Sequence, residues 1–481
     1  MHQMTLAQQA KALADKTFSA RELTEHYLKR IEQHDGALNS YISVTAEQAL
    51  AQADAADQQR SQGHAGPLLG LPLAHQDSLC SEGTRTSCGS KMLDNFIAPY
   101  NAHLLDRLQQ AGATSLGKLN MDEFGMGSSG NTGFHGATHN PWDSQRVTGG
   151  AASGSAVAVA AGLAAASTGC DTLGDVRLPA AYNGLTALRP TYGRISRLGM
   201  TAHASSFDQA SFVTRSAEDA ALLLQATAGL DERDSTCADE PVADYTASLA
   251  RPLDGLKIGI VRALFDDQLD SRHAAAILAA ADQLQALGAS LVDVELPQLD
   301  QALATAMIIS TGEASTNLSR YDGVRFGYRC AEPKDLADLY QRSRSEAFGD
   351  EVQRRLLLGA HFLSASQYQD YYVQAQKVRR LIKSGFQTAF AGVDLLLTPV
   401  AAGAAPATGS QATALDFQAQ RHCLPASLAG LPAMSLPCGL VDNLPVAAQL
   451  LAPWFQEARL LGAAHQYQQA SDWHSRRPAG F

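Results

Sequence analysis

Nowhere in the 481 residues do about eighteen apolar residues run together, so no segment reads as a membrane-spanning helix. The N-terminus, MHQMTLAQQAKALADK, has no apolar signal core. Basic side chains are outnumbered, 37 Lys+Arg against 48 Asp+Glu, and the formal net charge of −11 argues against direct nucleic-acid binding. The seven cysteines are an odd count, with no Cys-x-x-Cys pair or His/Cys ladder among them. Reduced structural thiols in a soluble, cytoplasmic protein are the expectation, with no membrane association. HExxH and the P-loop are absent, and GGAASGS lacks the βαβ context of a dinucleotide site. His135 and His139 stand four apart, but Gly136 between them points to a loop rather than a helical metal pair. No metal site and no cofactor are expected.

What is present suits a large folded core: 45% of residues are hydrophobic and 18% charged. Residues 5–34 read as two helices, the second opened by the capping box of Ser19 and Glu22 ahead of Leu23, Tyr27 and Ile31. A third helix is predicted over 45–62, a buried strand within 68–78, a helix over 103–112 and a strand at ATSLGKLN. Ser216 with Asp219 caps another helix, and from about 256 the pattern runs strand, helix, strand. Residues 300–390 read as a mostly helical cover, 393–400 as a buried strand, and 401–414 as a small-residue loop. A helix is expected near 456–470. With no internal repeat and no evident boundary, residues 1–481 are expected to form a single α/β domain.

The stretch from Val147 to Arg189 organises this reading. It has a Gly/Ser/Ala loop, a small-residue helix predicted from Gly154 to about Ser167, and a polar turn over Asp171–Arg177. Two such turns beside a buried helix present backbone N–H groups and short side chains to a ligand.

From about Thr5 onward, long strings carry a resemblance. They include GLPLAHQDSLCSEGTRTSCGSKMLDNF, LGKLNMDEFGMGSS, NPWD, RPTYGRISRLGM, NLSRYDGVRFGYR, LAGLP and VAAQLLAPWFQEARLL. In these the chain resembles the amidase-signature enzymes, and within them the A subunits of glutamyl-tRNA(Gln) amidotransferases. The resemblance implies the amidase-signature fold, a mixed central sheet covered by helices on both faces. It also implies a Ser–Ser–Lys serine amidohydrolase, in which a neutral lysine takes a proton through a relay serine. In the tRNA-linked subunits the product is ammonia, drawn from glutamine and passed to a partner.

Set against that pattern, the base lysine falls on Gln76, the relay serine on Ala151 with Ala152 beside it, and the nucleophile on Asp175. An amide has no titratable nitrogen and an alanine has no hydroxyl. Thr172, Leu173 and Gly174 form the expected oxyanion turn, with Leu173 in a glycine's place. Arg355 and Gln420 fall on the positions that hold the glutamine ends, and Ser211-Phe212 replaces Gly-Pro. Asp175 is expected to accept hydrogen bonds from the oxyanion N–H groups, contacts that would favour its charged form, with Arg177 as a partner; the alternative is a new acid/base or nucleophilic aspartate. Ser153, Ser155 and Lys118 read as structural and Cys170 as an inert thiol.

The expectation from these residues is a catalytically degenerate paralogue that lacks glutaminase activity, inactive as a Ser–Ser–Lys amidohydrolase. It would serve as a binding or complex-forming component with B- and C-type subunits or as a homodimer. Two alternatives stand beside it. One is a repurposed enzyme using Asp175 and Arg355 on a small amino-acid-like ligand; the other is the A subunit of a glutamine-dependent amidotransferase.

Overall fold

Burial at every position in the strands Pro72–Gln76, Ala166–Asp171 and Leu395–Pro399, whether their residues are apolar or small and polar, marks strands covered on both faces. The computed structural model describes residues 1–409 and 416–481. Among these the strands are β1 (Tyr41–Val44), β2 (Pro72–Gln76), β3 (Thr114–Leu119), β4 (Ala166–Asp171), β5 (Thr186–Arg189), β6 (Gln209–Thr214), β7 (Lys257–Val261), β8 (Ser290–Val294), β9 (Leu395–Pro399), β10 (Ala433–Val441) and β11 (Leu444–Leu451). They join in one sheet, ordered β1-β3-β2-β4-β6-β5-β10-β11-β9-β7-β8. β3, β2 and β4 run parallel, as do β9, β7 and β8, and the strands between them pair antiparallel. The sheet is therefore mixed, with helices packed against it, as the resemblance implied. At one edge β8 has no fully buried position and carries the exposed Asp293, which blunts further pairing.

The early helices span Leu6–Ala14, Ala20–Leu38 and Ala46–Ser61. The first two open on complete capping boxes, Thr5 with Gln8 and Ser19 with Glu22, each of which satisfies otherwise unpaired N–H donors. Ser216 and Asp219 do the same for Ala217–Thr227. The expected helices near 103–112 and 456–470 are His103–Gln110 and Glu457–Gln469. Residues 300–390 carry Ala302–Asn317, Leu336–Ala347, Asp350–Phe362 and Gln374–Phe390. Of the small-residue loop expected over 401–414, residues 410–414 lie outside the described residues.

The organising helix is shorter than its composition predicts. It spans Ser153–Ala160, and Gly162, at φ +66°, turns the chain into β4. Ala166 and Ser167 are strand, because pairing with β2 on one side and β6 on the other outweighs the helical preference of alanine. β4, β5, β6 and β11 had no clear sequence signal. The small and polar residues of β4 in particular read as loop until the neighbouring strands are in place.

Candidate functional site

Two parallel strands end side by side, and the site is built at their C-terminal ends. β2 delivers Gln76, whose Oε1 accepts a hydrogen bond from Cys170 N on β4 at 2.6 Å. Asp171, the last residue of β4, starts the turn that leads into the helix Arg177–Tyr182. The Gly149–Ala152 loop packs against this turn through Ala152 N, which donates to Asp175 O at 2.9 Å. Gln76, Ala151 and Asp175, distant in sequence, thus belong to one buried cluster of backbone segments.

Asp175 Oδ2 accepts from Thr172 N at 2.9 Å and Leu173 N at 3.1 Å, and Oδ1 accepts from Gln420 Nε2 at 2.7 Å. Thr172, Leu173 and Gln420 therefore converge on this carboxyl. Gly174 N donates elsewhere, to Asp171 Oδ1 at 2.9 Å. Two expectations need correction here. Arg177 does not pair with Asp175: its Nε and Nη2 bind Asp171 at 2.9 and 3.0 Å. Nor do the N–H contacts leave Asp175 an easily charged group, because burial, and then the negative charge of Asp171, raise it to about 6 against those hydrogen bonds.

Asp171 shows the opposite balance. Burial would raise it, but Arg177 and Arg189 together draw it down to about 2. Arg177 also donates to Gln449 Oε1 at 2.6 Å, Cys423 O at 3.1 Å and Ser427 Oγ at 2.8 Å. One buried guanidinium thus ties the turn to β11 and to the helix Leu424–Ala429.

Sequence reasoning missed Asp208. It is buried, and burial raises it to about 7 although Thr172 Oγ1, His203 N and Ala204 N all donate to it, at 2.8, 3.0 and 3.1 Å. Thr172 therefore bridges two carboxyls, Asp175 through its N–H and Asp208 through its hydroxyl. No spacing rule links residues 36 positions apart, and the antiparallel pairing of Asp171 with Gln209 is what brings them together.

Arg355 is buried, bound to Glu351 at 2.6 Å and placed 4.5 Å from the Phe417 ring centre. Phe417 lies three residues before Gln420, so the segment 417–420 touches both Arg355 and Asp175. The buried His203 ring is drawn down to about 3, by burial and then by the charge of Arg355.

The remaining candidates have structural partners. Ser153 Oγ bonds Thr138 Oγ1 at 3.0 Å, and Ser155 Oγ donates to Thr168 O at 3.2 Å. Burial, then Asp208 and Asp175, push the Cys170 thiol well above its ordinary range, which suppresses the thiolate. Lys118 Nζ reaches Asp77 Oδ1, Leu79 O and Thr86 Oγ1 at 3.1, 2.7 and 3.0 Å. Ser211 and Phe212 are interior residues of β6. His135 and His139 lie outside helices and strands, and among the described residues no cluster of three or more His, Cys, Asp or Glu is arranged for a metal ion. Among them, too, no helix is long and apolar enough to cross a membrane.

The chain matches the Amidase family over residues 22–461. It is 54% identical, over 483 residues and the whole of both chains, to the A subunit of glutamyl-tRNA(Gln) amidotransferase from Pseudomonas aeruginosa and equally to that from Azotobacter vinelandii. Among solved structures it resembles the A subunit from Thermotoga maritima, with a TM-score of 0.82 and 30% identity, covering 99% of this chain and 97% of that one. It also resembles native peptide amidase from Stenotrophomonas maltophilia, with a TM-score of 0.85 and 32% identity, covering 99% of this chain and 98% of that one. Identity at this level along the full length overturns the expectation of a catalytically degenerate paralogue. Identity over the whole of both chains supports the amidotransferase alternative instead.

Proposed function

Because the chain belongs to the amidase-signature family, we propose that it works as the A subunit of a glutamine-dependent glutamyl-tRNA(Gln) amidotransferase, beside B- and C-type subunits. The 54% identity over the whole chain carries this reading. The reaction class is amide hydrolysis that yields glutamate and ammonia, with the ammonia handed to a partner.

At residue level, Gln76, Ala151 and Asp175 occupy the positions of the family's lysine and two serines. Gln76 is occupied as an acceptor for Cys170 N. Of these three, Asp175 is then the titratable group, raised by burial and the charge of Asp171 to about 6, inside the range useful to a general base. In the step assigned to it, the carboxylate takes a proton from water as the new C–O bond forms. The C–N bond then breaks, and the proton leaves with the nitrogen as ammonia. Arg355, buried and cationic, is the group suited to the carboxylate end of glutamine. Gln420, bound to Asp175, orients the base.

The test is ammonia release from glutamine by the chain assembled with B- and C-type subunits. Release is expected to rise as pH passes about 6, where Asp175 loses its proton. Asp175→Asn is expected to lower it by roughly 100-fold or more, in the range lost with a general base. An assembly that releases no ammonia above the rate of the B and C components alone would overturn the proposal. Full release by the Asp175→Asn assembly would remove Asp175 from the chemistry and leave the chain's place in the complex standing.

A further inference from the structure

Just past the ends of β5 and β11, a cavity of about 480 Å³ opens between the helix Gln374–Phe390, the C-terminal end of Leu424–Ala429, and the turns at 191–192 and 454–455. Its charged lining residues are all cations, Arg379, Arg380 and Lys383, although the chain as a whole carries −11. Positions 380 and 383 are three apart, so both side chains leave the helix on the same face. Both are exposed, and among the described residues neither forms an ion pair.

Arg379 forms the inner wall. Its Nε donates to Leu428 O at 2.8 Å, Nη1 to Ser206 Oγ at 2.6 Å and Nη2 to Ser206 O at 2.8 Å. These partners are a hydroxyl and two carbonyls rather than a carboxylate, and burial lowers the pKa of this guanidinium. The carboxylate it senses is Glu313, which is spent on Ser206 N and Oγ at 2.9 and 2.6 Å. One carboxylate against three cations leaves the cavity positive. Trp454 closes the other side, its Nε1 donating to Ala429 O at 2.9 Å and its ring 5.3 Å from Lys383 Nζ.

We infer that this cavity is a binding site for a small phosphorylated anion, held by Arg380 and Lys383 at the mouth with Arg379 behind them. A volume of this size suits one small ligand. Guanidinium and ammonium donors match phosphate oxygens, and the acidic balance of the rest of the chain disfavours a long polyanion. The site also has a route to the catalytic turn. Arg379 braces residues 206 and 428, while Arg189 donates to Phe207 O at 2.8 Å and pairs with Asp171.

Trp454 makes the binding observable. The full-length chain is titrated with inorganic pyrophosphate at constant ionic strength, with tryptophan fluorescence and thermal shift read together. Saturable responses in both are expected. Exchanging both mouth cations, Arg380→Gln with Lys383→Gln, is expected to weaken binding by about tenfold or more while leaving the ligand-free melting temperature near that of the wild type. Trp454→Phe removes the fluorescence response and retains the thermal one. An equal affinity in the double variant would overturn the site. So would a response that follows ionic strength alone, or saturation by a short RNA oligonucleotide but not by pyrophosphate.

Discussion

Asp171 and Asp175 lie four residues apart on one turn, both fully buried, yet one sits near 2 and the other near 6. What separates them is the placement of Arg177 and Arg189, which both face Asp171. Removing a partner from a buried pair leaves an uncompensated charge, which costs far more than the intact pair contributes. Arg177→Ala is therefore expected to destabilise the chain by about 3–5 kcal/mol, read as a lower urea midpoint, because it strips Asp171, Gln449, Cys423 and Ser427 of a shared donor. A loss below about 1 kcal/mol would mean that Arg189 alone neutralises Asp171. Arg177 was legible in the sequence as a member of the turn. Its partner was not, since the choice between residues 171 and 175 depends on how the turn closes.

At the scale of elements, the helix Ser153–Ala160 fits only because its residues are small. A Cβ on Gly154 would lie 2.5 Å from Ser40 O and 2.6 Å from both Asn120 N and Asn120 O, all backbone atoms that cannot rotate away. Gly154→Ala is therefore expected to cost about 1–3 kcal/mol despite the better helix propensity of alanine. Gly36, inside Ala20–Leu38, meets nothing within 4 Å, so Gly36→Ala is expected to stabilise by up to about 1 kcal/mol. Thermal melts of the two variants should move in opposite directions; a shift in the same direction would discard the packing argument. The capped helices were readable from local pattern because a capping box involves residues three apart. β4 was not, because six small and polar residues become a strand only when β2 and β6 flank them.

Across the whole molecule, the helical segment over 300–390 is tied to the sheet-side loops by a buried carboxyl. Glu123 accepts from Gly349 N at 2.8 Å, at the start of the helix Asp350–Phe362, and from Ser90 Oγ. Burial raises it to about 7 from 4.5, against both hydrogen bonds. A carboxyl raised on folding contributes stability in full below its unfolded value, and that contribution is lost as pH rises through the folded value. Glu123→Gln, neutral at every pH, should therefore gain on the wild type between pH 5 and pH 8, by up to about 3 kcal/mol. A stability difference that does not change with pH would exclude Glu123 as the titrating group.

The sequence by itself determined the periodic helices, the buried run of β9, the family, and the small-residue stretch at the site's centre, since these depend on neighbours a few residues away or on long ordered strings. Tertiary structure decided the chemistry of that stretch. Gln420 reaches Asp175 across 245 residues, Gln449 reaches Arg177 across 272, and Asp208 joins through strand pairing. The protonation of a buried carboxyl depends on which charges and donors surround it, and only the folded chain brings those together.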